Sequence, residues 1–100
     1  MRTSPIELPS ERLAGFCRAN RIRKLSLFGS VLREDFRPDS DLDLLVEFEP
    51  GQVPGLKFFA LQDELSALVG RRVDLHTFND LSRYFRDEVL REAEPIFVQT

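Results

Sequence analysis

Apolar and polar positions change period several times along this chain, and each change marks an element. Leu13, Phe16 and Cys17 recur at helical spacing between Glu11 and Ala19, with Ser10 placed to cap the start and Asn20 to stop it. Leu25-Ser26-Leu27-Phe28 reads as a short buried strand ended by Gly29, and Ser30 to Phe36 as a short helix. Pro38-Asp39-Ser40 is turn material. Leu42 to Phe48 is the clearest strand, with Leu42, Leu44 and Val46 on one face. A loop follows, punctuated by Pro50, Gly51, Pro54 and Gly55. Leu56 to Val69 then carries one apolar stripe, Phe58, Leu61, Leu65, Leu68 and Val69, which predicts the strongest helix, closed by Gly70. Arg72 to Thr77 reads as a third strand, Ser82 to Ala93 as a last helix and Pro95 to Val98 as a final short strand. Helices alternating with strands predict an α/β layer rather than a bundle or sandwich.

Composition narrows the class. One hundred residues suit a single domain over 1–100, able to bury one core with little stability to spare. No apolar run reaches the length of a membrane span, and the N-terminus MRTSPIELPSER is polar and proline-broken, so cytoplasmic residence is expected. A single cysteine, Cys17, leaves no disulfide framework and no cysteine-built zinc site; its helical spacing with Leu13 reads as core. A formal charge of −3 argues against broad nucleic-acid binding, which depends on cations neutralising phosphates. Arg18, Arg21, Arg23 and Lys24 cluster, and a solvated helix end accounts for them.

The segment Gly29 to Val46, GSVLREDFRPDSDLDLLV, carries the candidate chemistry. A strand that ends in glycine and runs into a helix exposes unpaired N–H groups, which together with the helix dipole favour an anion such as a phosphate. Ser30 adds a hydroxyl. A lone Gly-Ser pair is also common as a simple turn and cap. Asp41 and Asp43 are harder to explain away. Residues two apart in a strand face the same way, about 6.6 Å apart along the chain, so both carboxylates emerge together. Paired hard oxygen ligands suit Mg²⁺, and aspartate is depleted in strands unless something requires it; a solvent-facing edge strand with polar alternation is the other reading of the pair, as plausible without the Gly-Ser element. Asp74, between Val73 and Leu75, projects from the face opposite to theirs and can reach the same cations if the two strands are neighbours. Three like charges would repel without a cation. Two metals clamp the attacking and leaving oxygens in phosphoryl or nucleotidyl transfer, and Asp74 could take the acceptor's proton.

These residues resemble the signature of the DNA polymerase β-like nucleotidyltransferase superfamily: Gly29-Ser30, the spacer Val31 to Ser40, Asp41-Leu42-Asp43, and Asp74 on a later strand. Within it the chain looks like the minimal nucleotidyltransferases (MNT, MntA-like antitoxins), and the similarity covers roughly residues 10 to 98. The resemblance implies a small mixed β-sheet of three to four strands flanked by about four helices. It implies that Gly29 and Ser30 contact the triphosphate of ATP, with Arg33 and Ser40 also on the nucleotide side. Arg33 and Asp35 match an Arg and an Asp of the family motif, where an ion pair or phosphate contact is expected. Asp41, Asp43 and Asp74 are implied as ligands of two Mg²⁺ ions. The family's usual biology is the antitoxin half of a toxin–antitoxin pair. Its partner is a HEPN toxin, silenced by transfer of AMP onto a tyrosine hydroxyl. Two alternatives stand beside this: an antitoxin that neutralises its partner by contact alone, and transfer to a small molecule, for which so short a chain has little room.

Other residues carry weaker expectations. His76, two beyond Asp74 on the same strand face, could sit near the nucleotide or the acceptor proton, although a lone histidine at a strand end is more often a supporting or surface residue. Tyr84, the only tyrosine in the sequence, is expected to pack with Phe85, the other reading being an acceptor for self-modification. Of the adjacent Phe58 and Phe59, one is expected in the core and the other exposed.

Overall fold

The computed structural model describes residues 8–32, 40–52 and 54–99, with the side chain of Ser30 left out. The helix expected over Ser30 to Phe36, and the positions of Arg33 and Asp35, fall largely outside these residues. What is described there is a 3₁₀ turn over Gly29–Leu32.

Helix α1 runs Ser10–Ala19 and strand β1 runs Ile22–Phe28. Strand β2 (Leu42–Phe48) leads to helix α2 (Lys57–Val69) and strand β3 (Val73–Thr77). A 3₁₀ turn at Phe78–Asp80, helix α3 (Arg86–Glu92) and strand β4 (Glu94–Val98) complete the order. The four strands form one mixed sheet in the order β3-β2-β1-β4, with β1 antiparallel to both β2 and β4 and β2 parallel to β3. The parallel pair is the one that needs a crossover, and α2 supplies it.

Strand alternation sorts the side chains into two faces. Leu25, Leu27, Leu42, Leu44, Val46, Val73 and Leu75 meet Leu13 and Cys17 of α1 and Leu61 and Leu65 of α2 in one core cluster. Leu65 and Cys17 are fully buried, and burying a side chain such as leucine contributes about 1.5–3 kcal/mol. Gly70 closes α2 in the left-handed conformation, φ 76°, and its N–H donates to the Ser66 carbonyl. Phe58 packs against the core while Phe59 stays 67% exposed, as the adjacent pair required.

Three expectations are corrected. The first strand starts at Ile22 rather than Leu25, because Ile22 pairs with Phe48 and is itself buried. The last helix is shorter than Ser82 to Ala93: residues 83–85 turn before α3 begins at Arg86, and α3 buries no residue, so no packed face extends it. Tyr84 does not join a packed pair, being 88% exposed beside an exposed Phe85.

Candidate active site

Register builds the site. Phe28 pairs with Asp43, and Asp43 pairs with Asp74, so these three side chains form a row across β1, β2 and β3. Two residues along, Ser26, Leu45 and His76 form the next row on the same face. This face lies opposite the core cluster, which explains how Asp43 on central strand β2, and Asp74 and His76 beside it on β3, stay out of the core. The Leu81–Glu92 stretch flanks the Phe28 side, where Leu81, Phe85 and Val89 line a cavity of about 390 Å³ with Phe28 and Gly29.

The Asp43 and Asp74 carboxylates and the His76 ring bring one ligand atom each within 4.8 Å of one another. His76 Nε2 stands 3.1 Å from Asp74 Oδ2 and 3.7 Å from Asp43 Oδ1. Interaction with Asp43 raises the His76 pKa, partial burial opposes it, and the Asp74 charge and hydrogen bond raise it further. Of the two partners, only Asp74 lies at true hydrogen-bond distance, so it is the firmer acceptor of the His76 proton. The ring also meets Phe28 edge-on at 5.3 Å between centroids.

Gly29 follows Phe28 with φ +77°, and a β-carbon on it would stand 2.5 Å from Asp43 Oδ2. The glycine is therefore required twice, by its left-handed backbone and by the carboxylate against it. Asp41 precedes β2 and is exposed. It lines a polar cavity of about 510 Å³ with Gln62, Asp63, Ser66, Arg72 and Asp74. On the other side of Asp74, a cavity of about 560 Å³ is lined by Phe58, Phe59, Gln62, His76 and Asp80 among others. The structure thus brings Asp43 and Asp74 together and sets Asp41 on an adjoining wall shared with Asp74. Ser40 lies just before Asp41, half-buried.

The donor set fits a hard divalent cation. Two carboxylates converge from adjacent strands on an open face, and the His76 ring stands within reach of both, where a proton on it relieves their repulsion. His76 is the group the sequence undervalued. Its position two residues after Asp74 was the available signal, but the parallel register that swings it toward Asp43 is not written in any short motif.

Comparison with known proteins gives the arrangement a class, that of the nucleotidyltransferases. The family model "Polymerase beta, Nucleotidyltransferase" matches residues 11–100, and the chain belongs to this family. It is 43% identical over 73 residues, 72% of each chain, to the protein adenylyltransferase MntA of Thermococcus cleftensis. A solved structure assigned to a minimal nucleotidyltransferase superposes with a TM-score of 0.71 at 41% identity, covering 86% of this chain and 87% of that one. A toxin–antitoxin crystal structure with AMP-PNP shares the fold at 19% identity, with a TM-score of 0.70 over 93% of this chain and 76% of that chain. Among the described residues no helix is long and apolar enough to cross a membrane.

Proposed function

We propose that this nucleotidyltransferase transfers AMP from ATP to a tyrosine hydroxyl of a HEPN-type toxin and so acts as that toxin's antitoxin. The observation that carries the reading is the pairing of Asp43 with Asp74 across the parallel β2–β3 junction, with Gly29 packed against Asp43. The relatives point the same way: one is named a protein adenylyltransferase, and structures sharing the fold are toxin–antitoxin complexes.

In this reading Asp41, Asp43 and Asp74 hold two Mg²⁺ ions. Bound there, the cations neutralise the carboxylates and draw charge from the triphosphate. Gly29 and Ser30 contact the triphosphate, with Arg33 and Ser40 beside it. The acceptor oxygen forms a bond to the α-phosphorus as the bond to the pyrophosphate oxygen breaks, and Asp74 takes the hydroxyl proton. Most of the rate gain comes from holding the reactants in line and from fixed charge around the phosphates.

The test is direct. The purified protein is mixed with ATP, Mg²⁺ and the product of the neighbouring gene, and intact masses are measured. A gain equal to AMP on the partner, absent with Asp43→Ala, is expected. Neutralisation of the partner that persists in Asp43→Ala without any mass gain would point to inhibition by contact alone.

A further inference from the structure

Among the described residues strand β3 is an edge strand, paired only with β2. Every second N–H of such a strand points away from its neighbour and needs another partner. Here the outward donors meet side chains. Val73 N–H donates to Ser66 Oγ at 2.9 Å, Leu75 N–H to Gln62 Oε1 at 2.9 Å and Thr77 N–H to Asp80 Oδ2 at 3.1 Å. The first two of these bonds lie immediately on either side of Asp74.

Gln62 and Ser66 stand one helical turn apart on α2, and the Ser66 hydroxyl donates to the Gln62 carbonyl at 2.9 Å. That bond orients Ser66 Oγ so that a lone pair accepts the Val73 N–H. The turn after α2 closes around the same residue, since the N–H groups of Gly70 and Arg71 donate to the Ser66 carbonyl at 3.0 and 3.2 Å. One residue on, the Arg72 carbonyl accepts the Leu42 N–H at 2.9 Å. Leu42 is the residue between Asp41 and Asp43. A continuous chain of hydrogen bonds therefore runs from α2 through the start of β3 to the backbone that carries the two other carboxylates. Both side chains also line the cavity shared by Asp41 and Asp74.

We propose that Gln62 and Ser66 are positioning residues for nucleotidyl transfer. They form a two-point clamp that fixes the backbone of β3 on both sides of Asp74 and so holds its carboxylate opposite Asp43. The inference rests on the reading of Asp43 and Asp74 as cation ligands. It assigns a role to two helix residues that carry no charge and belong to no signature. An edge strand held only by β2 could shift or fray, and the pairing of the two carboxylates would loosen with it.

The experiment uses Mn²⁺ alone as probe, its binding to the full chain followed by water-proton relaxation, with transfer activity measured separately as a function of metal concentration. Ser66→Val and Ser66→Thr match in shape, but only threonine keeps the hydroxyl. Ser66→Val and Gln62→Leu are expected to weaken Mn²⁺ binding about 10- to 100-fold, the usual cost of losing a group that orients a metal ligand. They should raise the metal concentration for half-maximal turnover more than they lower turnover at saturation. Ser66→Thr should bind as the wild type does. Equal binding by Ser66→Val and Ser66→Thr, or unchanged binding in Gln62→Leu, overturns the clamp. If Ser66→Val does not fold by circular dichroism, Gln62→Leu, on a half-buried helix position, decides alone. Asp74→Asn separates the two levels: weakened binding there with unchanged binding in Gln62→Leu defeats the clamp only. Wild-type binding in both Asp43→Asn and Asp74→Asn defeats the reading of the site, and the clamp with it.

Discussion

Gly29 leaves open the space that the Asp43 carboxylate fills: any β-carbon at that position would stand 2.5 Å from Asp43 Oδ2. The residue ends β1 beside the strand position that pairs with Asp43, so the turn and the acid are built as one unit. Gly29→Ala should cost stability by about 1–2 kcal/mol for the left-handed backbone alone. It should cost activity more, because Asp43 must move. Denaturant unfolding and steady-state transfer, measured on the same preparation, check both. Wild-type turnover in Gly29→Ala would show that the position of Asp43 does not matter to the reaction.

Asp43 and Asp74 face each other from parallel strands. Metal-supported charge stabilisation is worth several kcal/mol, and each 1.4 kcal/mol is tenfold in rate, so Asp74→Asn should lower transfer on the order of 1000-fold. The Asp74 side chain is half-exposed, so the fold should survive the change. Circular dichroism and a transfer assay at matched protein concentration test this pair of outcomes.

His76 is the only histidine, so its titration can be followed without assignment. In metal-free protein its pKa is raised by Asp43 and Asp74 against the lowering effect of burial. The sign follows from linkage. Its stabilising contribution is fully present below the ordinary value of 6.5 and is lost as pH rises through the higher folded value. Proton NMR should show the raised midpoint, and Asp43→Asn should bring it down. A midpoint at or below 6.5 in the wild type contradicts the geometry.

Most of this fold was legible because its elements announce themselves by period. The stripe on α2 and the buried run of β2 are local signals, and the helix and strand they predict are present. Gly29 was legible for a local reason too, since a strand that stops at glycine needs a tight turn. The relation between elements was not legible. No local pattern says that β3 lies beside β2 in the register that pairs Asp74 with Asp43 and Leu45 with His76. The same gap hid Gln62 and Ser66, whose partners on β3 are 13 and 7 residues away. Short helices were also hard to read: α3 buries nothing, so its length is set by little more than local propensity.

Cys17 is fully buried at the α1–sheet contact. Burial pushes its thiol up to about 12, with Arg18 pulling slightly the other way. The thiolate is the reactive form, so Cys17 should resist thiol reagents at pH 8 in folded protein and label only on unfolding. Labelling with a chromogenic disulfide across a urea titration should track the unfolding transition. Rapid labelling without urea would contradict the packing of α1.

Whether Asp43 and Asp74 share a cation is decided by anomalous diffraction from crystals grown with Mn²⁺ and a non-hydrolysable ATP analogue. A manganese peak within ligand distance of both Asp43 and Asp74 is expected, with the triphosphate alongside and Gly29 facing it. Manganese bound elsewhere, or a triphosphate seated away from these two carboxylates at saturating ligand, would contradict it.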